Sequence, residues 1–192
     1  MCYNLFMNIW SKYKKVILVF LALLAINLIV YGFNLNDFFV SDDFDWVNLG
    51  KNKETSLLQT FWTNNYGQVG QGGNFRPMVN LSYWLNYQLW GLNPIGYHLL
   101  SFLFHLGACF VFYLLAKQLL SKFEQSETAA FLAACFFAVL PSHSEAVIWT
   151  AAIGDPAVTF LVLLSFYLYL LHREGETKRR WYYPVSIILF IP

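Results

Sequence analysis

Asp42 and Asp43 stand side by side in FVSDDFDWVNLG, with Asp45 two residues further on, immediately after a long block without charge. Carboxylates crowded at a membrane boundary suit general-base work, in which one of them takes the proton from an attacking hydroxyl. A structural reading competes with it. Ser41 can cap a short helix, the acids of its first turn complement the helix dipole, and Gly50 can end it. Arg76 is the lone guanidinium between the first two apolar blocks, and it opens FRPMVNLSYWLNYQLWGLNP. With Pro77 at the first helical position, backbone N–H groups there also face an anion, so Arg76 is a candidate phosphate ligand. The alternative is an arginine snorkelling to the surface. His98 and His105, seven apart, share a helix face, and LPSHSEAVIWTAAIGDPAV contributes His143, Glu145 and Asp155. His98 and His105 either face a cavity or make interhelical hydrogen bonds, and Glu145 either orients His143 or hydrogen-bonds substrate hydroxyls. His143 and Glu145 alone fall short of the three or four ligands a metal site needs, so metal dependence stays open.

The elements that must position these residues follow from where charge is missing. Of 192 residues 58% are hydrophobic and only 12% charged, about half the usual charge content, which rules out an ordinary soluble globule. Charge-free blocks predict spans at about 16–35, 97–116, 129–149 and 157–171, with a fifth starting at 181. The first is too long for a signal-peptide core, and no small-residue cleavage site follows it. The expected fold is therefore all-α: a polytopic transmembrane helical bundle forming one membrane domain over 1–192. A fifth span that stops after WYYPVSIILFIP predicts an N-terminal piece of a longer protein.

Nine of twelve bases fall in the N-terminus and in the connections 117–128 and 172–181, whereas seven of eleven acids fall in the other connections. By the positive-inside rule the N-terminus is cytoplasmic, and the loop at 36–96 is periplasmic, extracellular or lumenal. That loop should carry short interfacial helices. In one of them Met78, Leu81, Leu85, Leu89 and Leu92 fall on one face, with Asn80, Tyr83, Tyr87 and Trp90 opposite. The glycine patch NNYGQVGQGGNF lacks the GK[ST] of a phosphate loop; it is a closing loop or a plain connector. Cys2, Cys109 and Cys135 leave no pair outside for a disulfide. A net charge of +1 and no basic stripe exclude nucleic acid as a partner, leaving membrane lipids and a lipid-borne ligand.

Four local patterns, the Asp42-Asp43 pair, Arg76-Pro77 with its helix, GLNPIGYHLLSFLFHL, and PSHSEAVIW followed by Asp155, resemble the N-terminal part of the GT-C glycosyltransferases. The resemblance is greatest to the transmembrane and tetratricopeptide-repeat O-mannosyltransferases and their bacterial relatives, and it covers roughly 16–171. It implies an inverting hexosyltransferase, mannosyl in the nearest relatives, with its site at the outer membrane surface. The implied donor is a polyprenyl-phosphate sugar, and the acceptor hydroxyl belongs to a protein, a lipid or a polysaccharide. Asp42 maps onto the family's base; Asp43 would position the acceptor or a metal, Arg76 would take the phosphate, and His98, His105, His143, Glu145 and Asp155 would line the pocket. No cofactor is required by this chemistry, although a divalent metal fits it. Two positions depart from the family: Ile153 replaces an arginine common two residues before the aspartate, and Ser101 an asparagine between the histidines. The readings from other classes are a transporter or flippase of lipid-linked sugars, with polar groups spread through the membrane depth, and an inactive fragment of the fold, since five partial spans are few for enclosing a lipid donor.

Overall fold

The computed structural model describes residues 2–51, 76–175 and 180–190, with side chains from residue 13 onward except at 49–50. The glycine patch at 64–75 lies outside the described residues, as do Lys53, Glu54, Lys178 and Arg179. Among the described residues all regular structure is helical: α1 (Cys2–Tyr31), α2 (Asp43–Lys51), α3 (Pro77–Trp90), α4 (Pro94–Leu119), α5 (Ser126–Ala138), α6 (Ser144–Ile148), α7 (Gly154–Glu174) and α8 (Tyr182–Phe190), with 3-10 turns at Gly32–Asn36, Pro141–His143 and Thr150–Ala152. Three helical stretches are long and apolar enough to cross a membrane, Tyr13–Asn36, Pro94–Leu119 and Thr150–Glu174. The molecule is an all-α membrane bundle.

The span expected at 129–149 takes the form of a bent pair of helices. Ser126–Ala138 and Pro141–Ile148 meet at a bend of 51°. Pro141 has no N–H to continue the ladder, and its ring would collide with the carbonyl four residues back, so the chain restarts in a new direction. On α5, Ala130, Ala134 and Ala138 recur every fourth residue and are wholly buried. Such a small-residue stripe lets helices approach closely where no hydrophobic effect drives them together. It packs in one core with Leu23, Tyr31, Phe102, Leu106 and Tyr113 of α1 and α4. Ile17, Leu18, Leu21, Ile29, Leu132 and Phe136 remain exposed, as lipid-facing residues should.

α4 packs against α1, α5 and α7, and α8 against α7. The α7–α8 pair is pinned by Ser165, whose hydroxyl donates to the Ser186 carbonyl at 2.7 Å. At one end of the bundle Glu127 accepts from Lys117 at 2.6 Å and Lys15 at 3.4 Å, and Gln118 bonds Glu174. The opposite, acidic end has its own core of Phe39, Trp46, Val47, Val79, Tyr83, Tyr97, Ala151 and Ile153. Helix α3 lies across it, burying Val79, Asn80, Ser82, Tyr83 and Asn86 while Leu85, Leu89 and Leu92 stay exposed. Its polar face thus meets protein and its leucines are left for the lipid boundary. Gly91 closes α3 at φ 60°, a left-handed value that costs glycine little. The sequence placed the end of α2 at Gly50; the helix continues to Lys51.

A Cβ on Gly107 would lie 2.9 Å from the Phe160 ring, which fills the space between α4 and α7. Gly107→Leu is therefore expected to destabilise the chain by about 2 kcal/mol through overpacking. Adding Phe160→Ala should recover part of the loss. Thermal unfolding in detergent micelles checks both, and an unchanged midpoint in the single variant would contradict this packing.

Candidate functional site

The acidic end is organised by a tight turn. Ser41 sits at φ 50°, a left-handed conformation that costs a non-glycine residue about 1–2 kcal/mol. It reverses the chain so that Asp43 turns inward and is 1% exposed. Ser41 does not cap α2 as expected: its hydroxyl donates to the Asp42 side chain at 3.0 Å. Asp43 instead reaches back, its Oδ2 accepting the Val40 N–H at 2.9 Å. Its Oδ1 accepts the Tyr83 hydroxyl at 3.0 Å and the Ala151 N–H at 2.8 Å. With the Tyr83 proton committed to Asp43, the Thr150 hydroxyl 2.9 Å away must donate to the Tyr83 oxygen. Burial, and then the Asp43 charge, raise the Tyr83 pKa strongly, so the phenol remains a donor. Trp46 stacks on Tyr83 at 5.9 Å between ring centroids.

The neighbouring carboxylates are therefore unlike. Asp43 is buried with three donors, whereas the Asp42 side chain is exposed at the turn and, among the described residues, bonded by its neighbour Ser41. Sequence spacing could not distinguish them. Thr150 was missed, and Tyr83 was read only as part of the face opposite the leucines; the clue was the polar Asn80 beside it on that face, which the structure turns toward protein.

Arg76 stands at the N-cap position of α3, exposed and without an ion-pair partner among the described residues. It borders a cleft of about 720 Å³ together with Glu145, Asp155, Trp149 and the first turn of α7. A second cleft of about 360 Å³ is lined by Asp37, Phe38, Val40, Asp43, His98, Glu145 and Trp149. Glu145 and Trp149 border both. Asp42 lies at the surface near the second cleft's Val40 and Asp43 but lines neither.

The pocket expected for five residues is thus reduced to three. His98 lines the second cleft, and its Nε2 donates to the Asp37 carbonyl at 2.9 Å. Glu145 and Asp155 line the first. His105 and His143 do not join them: they meet at the α5–α6 break with ring centroids 5.2 Å apart, His143 against Phe137 and His105 beside the Ala138 carbonyl and Cys109. Residues two apart on a helical turn point about 200° apart, so with Glu145 outward His143 must face inward. Asn27, Ser101 and His105, three polar residues within the spans, are buried in packed helices and line none of these clefts. Ile153 is 3% exposed within the apolar core. No three His, Cys, Asp or Glu among the described residues come together to hold a metal.

A protein O-mannosyl-transferase of Caenorhabditis elegans is 32% identical over 164 residues, 82% of this chain and 24% of the relative. Protein O-mannosyl-transferase Tmtc1 of Drosophila melanogaster is 32% identical over 163 residues, 82% of this chain and 18% of its own length. This chain is homologous to the protein O-mannosyl-transferases. Human protein O-mannosyl-transferase TMTC2 is 30% identical over 165 residues, again 82% of this chain, and 19% of the relative. The chain spans about a quarter or less of these relatives. No family model matches it, and no solved structure matches it significantly.

In this O-mannosyl-transferase homologue, Asp43→Asn turns an acceptor into a donor facing the Val40 or Ala151 N–H and should cost about 2 kcal/mol. Asp42→Asn should change stability by less than about 0.5 kcal/mol. Fluorescence-monitored thermal unfolding of the two variants checks this, and equal losses would refute the division of roles.

Proposed function

We propose that the chain supplies the donor-binding and proton-accepting end of a multi-pass membrane glycosyltransferase that moves mannose from a polyprenyl-phosphate donor to a protein hydroxyl. The observation that carries this reading is Arg76, a cation without an ion-pair partner among the described residues, at a helix N-terminus and bordering a cleft at the acidic end of a membrane bundle. Lipid phosphates dwell at that depth. The basic residues at the opposite end support a cytoplasmic N-terminus and an outer location for the cleft. Homology to proteins named O-mannosyl-transferases supports mannose as the sugar and protein as the acceptor.

The chemistry follows from charge. Asp42 accepts the proton of the acceptor hydroxyl as its oxygen bonds the anomeric carbon from the face opposite the phosphate. The carbon–oxygen bond to phosphate breaks with its electron pair, giving inversion, and Arg76 stabilises the charge of the departing polyprenyl phosphate. Asp43 is a positioning residue: tied to Val40, Tyr83 and Ala151, it holds Asp42 toward the clefts without touching substrate. A base of this kind contributes about 10²- to 10⁴-fold. The carrier reading gains nothing from Asn27, Ser101 and His105, which are packed away within the spans.

Membranes from cells expressing the gene should bind polyprenyl phosphate saturably, about tenfold more weakly in Arg76→Ala. Transfer of radiolabelled mannose from polyprenyl-phosphate mannose should fall at least a hundredfold in Asp42→Asn with donor binding unchanged. Normal transfer by Asp42→Asn would remove its assignment as the base; saturable binding with no transfer in any variant would favour the carrier.

A further inference from the structure

Toward the basic end of the bundle, α7 and α8 leave a groove of about 640 Å³ between them. Val162, Phe166 and Tyr169 line it from α7, and Tyr183, Ile187 and Phe190 from α8. Its two buried hydroxyls are already used: Ser165 donates to the Ser186 carbonyl and Ser186 to the Tyr183 carbonyl, both at 2.7 Å. The walls therefore ask for hydrocarbon, in a stretch long and apolar enough to cross a membrane. Both helices carry this face to a charge. Arg173 follows Tyr169 by four residues in α7, which sets the two on one side of the helix. Arg180, in the turn that leads into α8, precedes Tyr183 by three. At this level the helices meet through the His172 and Tyr183 rings, 5.4 Å apart between centroids. Both arginines are exposed and without an ion-pair partner among the described residues, while Glu174, the acid next to Arg173, is engaged by Gln118 of α4. The helical rise puts Val162 about 16 Å from Arg173. One leaflet of membrane hydrocarbon is about 15 Å thick, half of the core.

We propose that this groove is a site for one anionic glycerophospholipid of the leaflet at the basic end, its phosphate held by Arg173 and Arg180 and one acyl chain lying along Phe166 and Ile187 toward the middle of the membrane. Guanidinium forks match phosphate oxygens, and the paired tyrosines stand one turn deeper, where rings with a polar tip meet the ester groups. Charge decides between occupants. A second helix would fill the apolar part equally well but would leave both guanidiniums without an anion, and a zwitterionic lipid brings a cation of its own toward them. By bridging the last turn of α7 and the turn before α8, the lipid ties α8 to the bundle, which otherwise holds it through α7. The site is separate from the Arg76 cleft and independent of the transferase reading.

The chain in detergent micelles is titrated with phosphatidylglycerol and with phosphatidylcholine of the same acyl chains, and bound lipids are counted by native mass spectrometry. One phosphatidylglycerol should bind about thirtyfold more tightly than phosphatidylcholine, the product of about fivefold for each arginine. Arg173→Gln with Arg180→Gln should remove that preference and leave the thermal unfolding midpoint of the lipid-free chain unchanged. Ile187→Trp, at an exposed position where the larger ring fills the groove, should weaken both lipids, whereas Arg76→Ala should keep the preference intact. Equal binding of the two lipids, a preference that survives the double arginine variant or Ile187→Trp, or one that Arg76→Ala abolishes overturns the proposal. So does a dimer that Ile187→Trp disrupts, which would give the groove to a second copy of the chain. Polyprenyl phosphate bound more tightly than phosphatidylglycerol at the two arginines would likewise replace the glycerophospholipid by a prenyl lipid.

Discussion

Asp43 accepts hydrogen bonds from the Val40 amide, the Tyr83 hydroxyl and the Ala151 amide, and through them joins segments 40 and 108 residues distant in sequence. A carboxylate taken out of water costs several kcal/mol unless its oxygens find donors, so the three contacts form together or the loop does not settle. Their geometry fixes more than the carboxylate. It holds the start of α2 against α3 and against the turn before α7, which bear respectively Asp42, Arg76 and Asp155. The left-handed Ser41 is then a strain that this arrangement offsets, of the kind that persists where surrounding contacts over-determine it.

Deeper in the bundle the constraint changes from charge to shape. Between lipid-facing helices no water is released by contact, so packing must come from close backbone approach and from local hydrogen bonds. The alanine stripe of α5, Gly107 beneath Phe160, and the Ser165–Ser186 bond answer that requirement at three different interfaces. The bend at Pro141 connects the two regimes. By stopping α5 it frees the chain to form the short α6, which carries Glu145 to the clefts, while His143, half-buried in the turn before it, packs against His105.

What could be read from sequence divides along the same line. Charge-free runs, Pro77 at a helix start and Gly91 at its end are local signals, and the helices duly begin and end there. The face of α3 was legible as a pattern, but not which side met protein, because its inward row of Asn80, Tyr83 and Asn86 is polar. The Asp42-Asp43 pair looked like two equivalent acids, since burial of Asp43 depends on donors at positions 83 and 151 that no spacing rule connects. His143 and Glu145 appeared to be neighbours in function; a helical turn sets them on opposite sides. Trp149, which counts in both clefts, gave no signal beyond being one aromatic among many.

The two clefts meet at Glu145 and Trp149, and their charges differ in a way that bears on order as well as on affinity. Arg76 offers the first cleft a cation, whereas the second presents the carboxylates of Asp37, Asp43 and Glu145. An anion entering from the lipid boundary is drawn to one and repelled by the other over distances shorter than the Debye length of about 10 Å. Asp42 lies outside both clefts, on the turn that Asp43 anchors, so its reach toward either is set by the freedom of that turn.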